Sequence, residues 1–340
     1  MPSEIAPTFH FRMTRLLAVL TGLCLAVFLV LDHGWQEVLH ALQTAGWTAV
    51  GTITLFHALP TLICGLAWWL VLRPHSAERW PVLVWLRWIR DGTDGVIPIG
   101  GELLATRILR LRGTTVGGAS VIVDLTAELL AQALYAALGL ALLLNTHPGL
   151  QHLGWVILGV GVMTVQFGGF LLAQRKGLFR LIERPLDWLR KNRRSTQTRA
   201  DQTLHARLLA LYAHPWAFFG SILLHLAAWV IGALEVWLGL RFMGHPLSMA
   251  KTMVLESLVT MLRSITFFIP LNIGVQEGSY VLIGALVGLP ADLALAVSLL
   301  KRARDLIKGV PALLQWQLIE SREFRRTAAN RSLAHTREDA

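Results

Sequence analysis

Residues 269–277 read IPLNIGVQE and residues 97–102 read IPIGGE, so the chain contains the same order of breaker, glycine and glutamate twice. The two glutamates, Glu102 and Glu277, lie 175 residues apart in a chain of 340. Eleven residues after each glutamate comes a glycine, followed by a long apolar segment that carries charges. Interrupted apolar segments at matching places in two halves indicate the central site of a transporter.

The composition determines the class of protein. Hydrophobic residues make up 54% of the chain and charged residues only 15%, which is typical of a polytopic helical membrane protein. The net charge of +10 does not indicate nucleic acid, because the basic residues cluster between apolar segments. These basic residues are better explained by the orientation of the protein in the membrane and by binding of anionic inner-leaflet phospholipids. Cys24 and Cys64 lie in separate apolar segments and predict neither a disulfide framework nor a zinc site.

Basic residues predict the orientation of the spans. The N-terminal arm, the 73–112 region, the 175–207 loop and the tail hold 2, 7, 10 and 5 Lys or Arg, whereas the three opposite loops, the first at 32–46, hold 0, 0 and 2. Both termini are therefore expected in the cytoplasm. Six full spans are predicted, the first an uncleaved anchor, at about 14–31, 47–72, 115–144, 153–174, 215–240 and 291–319.

This orientation makes residues 80–112 enter and leave on the inner side and residues 249–288 on the outer side. The expected fold is an all-α polytopic membrane protein, with about six full spans plus two oppositely oriented re-entrant hairpins forming an inverted repeat. Closely packed helix pairs, or ordinary breaks at the surface, are the alternatives. Within a single integral membrane domain, 1–340, the predicted units are a first repeat at 80–145, a basic cytoplasmic loop at 175–207, a second repeat at 249–319 and a basic cytoplasmic tail at 320–340.

Charges inside the predicted spans need partners. Asp124 and Glu128 are four residues apart and share a helix face. A second group, from Lys301 to Asp305, falls near the middle of the last span. A charge at the bilayer centre costs roughly 3 kcal/mol even on lenient scales, so these side chains should face the bundle interior. They form either a structural ion-pair cluster or a polar cavity whose arginines bind an anionic headgroup. Asp124 and Glu128 are expected to face Arg302 and Arg304 across the pseudo-twofold axis.

Candidate binding residues follow from these motifs. Glu102 and Glu277 have an equally good alternative role at the N-terminal ends of short helices, and Glu235, Glu256 and Arg263 are weaker candidates. No phosphate-binding loop, HExxH or GxSxG motif occurs, and the twelve histidines are scattered, so neither an enzyme, a cofactor nor a metal is predicted. The predicted substrate-binding residues are Glu102, Arg107, Asp124, Glu128, Asn272, Glu277, Arg302, Arg304 and Asp305.

Four motifs together resemble a known family: IPIGGE at 97–102, GASVIVDLTAELLAQ at 118–132, FFIPLNIGVQEGSYVLIGALVGL at 267–289 and SLLKRARDLIKGVPALLQW at 298–316. They resemble the flippase-like family named after the transmembrane region of lysylphosphatidylglycerol synthases, and most closely its subgroup associated with hopanoid biosynthesis. Many relatives read PGGLG where this chain reads PLNIG, with Asn272 in place of a glycine. The resemblance places seven residues at the family's motif positions: Glu102, Asp124, Glu128, Glu277, Arg302, Arg304 and Asp305.

The predicted function is translocation of a lipid with a polar or anionic headgroup, or handling of that headgroup, at the bacterial inner membrane. The resemblance suggests a hopanoid or its polar derivative as cargo. The alternative is a non-transporting accessory or scaffold protein for membrane lipid biosynthesis enzymes, which would then be partners. An intramembrane enzyme using Asp124 and Glu128 as acid and base is the least favoured alternative.

Overall fold

The computed structural model describes residues 35–94, 100–146, 197–266, 269 and 272–338, together with six isolated positions between 154 and 169. Regular structure in these ranges is helical. The helices are α1 Trp35–Phe56, α2 Ala58–Leu72, α3 Trp80–Asp94, α4 Gly100–Leu111, α5 Gly117–Thr146, α6 Gln197–Tyr212, α7 Pro215–Phe242, α8 Met249–Ile265, α9 Val275–Val287 and α10 Ala291–Glu338, with a short 3-10 helix at Arg73–His75.

Three segments within the described ranges are long and apolar enough to cross a membrane. They are Gln43–His75, Gly117–Asn145 and Pro215–Phe242, and they match the spans predicted at 47–72, 115–144 and 215–240. The predicted spans at 14–31 and 153–174, and the predicted basic loop up to residue 196, lie outside the described residues apart from the isolated positions. The last predicted span, 291–319, lies within α10, where its central charges set it apart from the three apolar segments.

The stretch predicted to lie outside the spans at 32–46 is helical from Trp35 onward, where α1 begins. The chain instead breaks at Gly46, which has φ 69° and ψ 177°, a conformation that glycine adopts without steric cost. A second break, at His57, separates α1 from α2 inside the predicted span. Pro60 explains this break, since its ring removes the amide that would bond the carbonyl of Phe56.

The predicted tail is helical as far as Glu338, because α10 continues through it. Residues 320–338 contain neither glycine nor proline, so nothing in the sequence ends the helix there. Within α10, Pro311 follows Gly309 at the crossing with α3. A Cβ atom on Gly92 of α3 would lie 2.6 Å from the Cβ of Ala312, so only glycine allows the two helices to approach this closely.

Two helix pairs correspond to the predicted hairpins: α3 with α4, and α8 with α9. These helices have 15, 12, 17 and 13 residues. At 1.5 Å per residue they measure about 18–26 Å, less than the roughly 30 Å of a hydrocarbon core. In the second pair, the connection contains Asn272 at φ 48° and Gly274 at φ 80°. The breaker motifs therefore end helices at the expected places.

Helix packing follows the same pattern in both repeats. In each, the two hairpin helices contact each other, and the second contacts the long helix that follows. The long helix of each repeat also packs against the first hairpin helix of the other, α5 on α8 and α10 on α3. The preceding helices, α2 and α7, pack extensively on each other. The two repeats are thus interlocked, and their contacts place the charged segments in the interior.

A buried ionic network as the candidate functional site

The first cluster joins two arginines of α3 to two carboxylates of α5. Arg87 Nη1 lies 2.8 Å from Glu128 Oε2, and Arg90 Nη1 lies 2.7 Å from Asp124 Oδ2. Arg90 also donates to Glu128, at 2.8 Å. The Asp124 side chain is fully buried and that of Arg90 is 3% exposed. Helical spacings of three and four residues put each pair of side chains on one face.

Further groups surround these four residues. His225 of α7 is fully buried, and its Nε2 lies 3.0 Å from Asp124 Oδ1. The Nε of Arg90 lies 3.5 Å from Glu102 Oε1 and 4.0 Å from Asp94 Oδ2. Carboxylates therefore outnumber guanidinium groups in this cluster. The carboxylates within 4.0 Å of Arg87 or Arg90 belong to Asp91, Asp94, Glu102, Asp124 and Glu128.

The second cluster consists of four ion pairs formed by three cations of α10. Lys301 binds Glu256 of α8, and Arg302 Nη2 lies 2.7 Å from Glu277 Oε1 of α9. Arg304 binds Glu235 of α7 and its own neighbour Asp305, the latter at 2.6 Å. The carboxylates of Glu235, Glu256 and Glu277 are each at most 6% exposed. Such burial is tolerable in a membrane because each charge has a partner of opposite sign.

His57 connects the two clusters from the break between α1 and α2. Its Nδ1 lies 2.8 Å from Glu235 Oε2, and its Nε2 lies 3.1 Å from Lys308 Nζ. Arg304 Nη1 also lies 3.1 Å from His57 Nδ1, so cations approach both ring nitrogens of His57 and the Glu235 carboxylate approaches one of them. Lys308 Nζ also lies 3.9 Å from Asp91 Oδ2 in the first cluster. The two clusters are thus parts of one network.

The two repeats carry opposite charges at related places. In the first repeat, the arginines are on the first hairpin helix and the carboxylates, Asp124 and Glu128, are on the long helix. In the second, the carboxylate of Glu256 is on the first hairpin helix and Lys301 is on the long helix. The pairs that Asp124 and Glu128 form with Arg87 and Arg90 therefore lie within one repeat, and so does the pair of Glu256 with Lys301. Lys308 and Asp91 approach each other across the two repeats.

The predicted pairing of Asp124 and Glu128 with Arg302 and Arg304 is therefore wrong. The α5 carboxylates bind Arg87 and Arg90, because α3 brings both guanidinium groups to the face of α5 that carries them. Arg302 and Arg304 bind carboxylates of α7, α9 and α10 instead. The orientation count changes too: two of the seven basic residues assigned to the 73–112 region are buried in α3, which leaves five.

The other predicted site residues have different positions. Seven belong to the network: Glu102, Asp124, Glu128, Glu277, Arg302, Arg304 and Asp305. Arg107 is exposed on α4, outside both clusters. Asn272 lies 2.7 Å from Thr266 Oγ1 at the end of α8. With its amide nitrogen toward the helix, it donates to the carbonyl oxygens of Thr266 and Arg263, at 3.1 and 3.3 Å.

The alternative role of a glutamate at a helix N-terminus is confirmed for Glu277. Its Oε2 accepts a hydrogen bond from the amide of Gly274, at 2.8 Å, while its Oε1 binds Arg302. In the first hairpin Asp94, not Glu102, makes the equivalent contact, accepting from the amide of Gly101 at 2.7 Å. Carboxylates therefore stabilise the starts of both short helices, as expected where amides lack helical partners.

Sequence reasoning missed Arg87, Arg90, His57 and His225 as site residues, and it ranked Glu235 among the weaker ones. The segment WLRWIRD, 85–91, did contain a signal: arginines at three-residue spacing among tryptophans. Glu235 is an isolated carboxylate inside an apolar span, which by itself requires a buried partner. The two histidines gave no such signal, since their partners lie on other helices.

Asp124, Glu128 and His225 offer three donor atoms within 4.8 Å of one another, as a metal site would require. However, both carboxylates accept hydrogen bonds from the guanidinium groups of Arg87 and Arg90. Two fixed positive charges at hydrogen-bonding distance oppose the binding of a divalent cation. This donor set therefore fits an ion-pair network better than a metal.

The fold and the network define a helical, multi-pass membrane protein with two interlocked pairs of short helices and a buried ionic centre. The sequence profile of the family described as lysylphosphatidylglycerol synthase TM region matches residues 15–311. The chain belongs to this family, which connects it with membrane lipids. Comparisons with curated proteins and with solved structures found no match.

Proposed function

We propose that this protein moves a lipid between the leaflets of the bacterial inner membrane, or presents its headgroup there. The observation that carries the proposal is the network itself: ionic side chains from seven helices and a helix break meet in the interior. Charges within a membrane are expensive and usually mark a substrate or ion pathway. A hopanoid or its polar derivative is the proposed cargo, on the resemblance of the GVQEG and LLKRARDL motifs.

The short hairpin helices support a transport mechanism. We infer that each hairpin is re-entrant and that the two open to opposite sides, because the four helices are shorter than the hydrocarbon core. Broken helices of this kind surround central sites in secondary transporters, in which one repeat moves relative to the other. Lys308 contacts both His57 and Asp91 and so links the two clusters, which a movement of one repeat relative to the other would separate.

No catalytic step is part of this proposal. Asp124 and Glu128 are held by arginines, so neither carboxylate is arranged to donate and accept a proton in turn. The network is instead suited to binding, since its charges are fixed and mostly buried.

The inner-membrane orientation gives a direct prediction. Single cysteines should be introduced at Gly34, Pro148, His245, Ser195 and Asn330 in a background without Cys24 and Cys64. The excess of cytoplasmic basic residues predicts that an impermeant maleimide labels the first three positions in intact cells and misses the last two. Labelling at position 195 would contradict the orientation and the oppositely oriented repeats together.

Transport itself is testable with fluorescent lipids in proteoliposomes and a quencher added from outside. The wild-type protein should increase the fraction of labelled lipid that exchanges leaflets, whereas Lys308→Met should reduce it because the link between the clusters is lost. Arg112→Leu, an exposed residue 45% accessible, is the matched control and should exchange lipid like the wild type. No exchange of any tested lipid, combined with co-purification of lipid-synthesis enzymes, would support the scaffold function instead.

A further inference from the structure

Arg263 differs from the other cations of the second cluster. It lies in the last turn of α8, and its Nε atom is buried without a hydrogen-bond partner among the described residues. Lys301, Arg302 and Arg304 each have a carboxylate within 4.0 Å. The structure shows no such pair for Arg263 in the ranges it describes.

The surroundings of Arg263 explain why this cation lacks a carboxylate partner. Its charge interacts over longer distances with Tyr280, Lys301 and Asp305. Of these three residues only Asp305 carries a carboxylate, and it already binds Arg304 at 2.6 Å. The stretch that follows α8, TFFIPLNIG at 266–274, contains no acidic residue. Within the described part of the chain, Arg263 therefore has hydrogen-bonding capacity left for another molecule.

The backbone at Arg263 is also held in place. The Asn272 amide donates to the carbonyl oxygens of Arg263 and Thr266, which holds the end of α8 against Asn272. Thr266 Oγ1 donates to the same Arg263 carbonyl at 3.1 Å. The planar guanidinium can offer two N–H groups to one oxyanion, so less conformational freedom is lost for each hydrogen bond formed.

We propose that Arg263 binds an oxyanion, phosphate or carboxylate, of the transported lipid, with Asn272 as its positioning residue. This inference rests on the proposed function and names the substrate class, a lipid with an anionic group. It also changes the residues expected to bind that group. Arg302 and Arg304 are already held by buried carboxylates, whereas Arg263 can receive an anion without breaking an existing ion pair.

The test is binding of fluorescent phosphatidylglycerol and fluorescent diacylglycerol to purified protein. Arg263→Gln should weaken phosphatidylglycerol binding about tenfold or more, since a charged bidentate contact is lost. Arg263→Lys should retain part of the affinity, and the uncharged diacylglycerol should bind all variants alike. Arg112→Gln is the matched control for loss of one arginine, and thermal unfolding must show that each variant is folded.

Several outcomes separate the possibilities. Unchanged phosphatidylglycerol affinity in folded Arg263→Gln and Arg263→Lys would overturn the inference and assign Arg263 only to the C-terminal end of the α8 dipole. Competition by millimolar inorganic phosphate as strong as that by unlabelled lipid would show a site for the free anion, not for the lipid. Arg263-dependent binding without leaflet exchange by the wild type would sustain the anion site and refute the proposed transport. Equal leaflet exchange by the wild type and Arg263→Gln would sustain the proposed transport and refute the anion site at Arg263.

Discussion

Replacing Arg90 with leucine should lower the free energy of unfolding by about 3–5 kcal/mol, the usual cost of leaving a buried charge without its partner. Arg90 binds Asp124 and Glu128 at 2.7 and 2.8 Å and is almost fully buried, so its loss leaves carboxylates uncompensated. Thermal unfolding in detergent, together with the yield of monodisperse protein, measures the effect. We expect a large drop in both.

The matched control is Arg112→Leu. Arg112 also binds a carboxylate, that of Glu78 at 2.9 Å, but it is exposed. Its hydrogen bonds to Glu78 raise the pKa of the Arg112 guanidinium above its usual value. Exposed pairs contribute about 0–1 kcal/mol, so this variant should unfold close to the wild type. Equal destabilisation by the two substitutions would show that burial does not determine the strength of the Arg90 interactions.

A double substitution tests the corrected pairing directly. Asp124→Asn combined with Arg90→Leu should be less destabilised than the sum of the two single variants, because the removed groups are partners. Asp124→Asn combined with Arg302→Leu should show additive losses of stability, because Asp124 binds Arg90 whereas Arg302 binds Glu277. The pairing expected from the sequence would be supported instead if Arg302→Leu recovered the stability lost in Asp124→Asn while Arg90→Leu and Asp124→Asn had additive effects.

The second large effect concerns Lys301 and Glu256, which form a buried pair between α10 and α8. Either Lys301→Met or Glu256→Gln alone should cost about 3–5 kcal/mol, because a single charge then remains in the interior. The double variant should recover most of that loss, since a buried ion pair replaced by neutral groups is often nearly neutral in stability. Unfolding of all three variants by heat or by SDS titration gives the coupling free energy.

Tyr280 refines this second prediction. Its hydroxyl donates to Glu256 Oε2 at 2.6 Å and therefore holds the carboxylate when Lys301 is removed. Tyr280→Phe alone should lower the free energy of unfolding only slightly, but it should make Lys301→Met more destabilising. A double variant of Lys301 and Glu256 that is as unstable as the sum of its parts would contradict the pairing shown by the structure.

Sequence alone predicts the helical membrane class, the three apolar spans within the described residues and the breaks within the two pairs of short helices. Hydropathy and helix breakers act locally, so Ile97-Pro98 and Ile269-Pro270 marked these breaks without any tertiary information. The sequence also predicts that Asp124, Glu128 and the α10 charges are buried, because an unpaired charge that faces lipid is too costly. Their membership in one site was therefore predictable.

Which charges pair with one another depends on how the helices pack in three dimensions. The partners of Asp124 lie 34 and 101 residues away, on α3 and α7, and those of Arg304 include Glu235, 69 residues away. Sequence spacing specifies the face of a helix but not the helix that it meets. His57 and His225 joined the network for the same reason: each becomes a partner only because packing of α2, α5, α7 and α10 brings an isolated carboxylate within hydrogen-bonding distance.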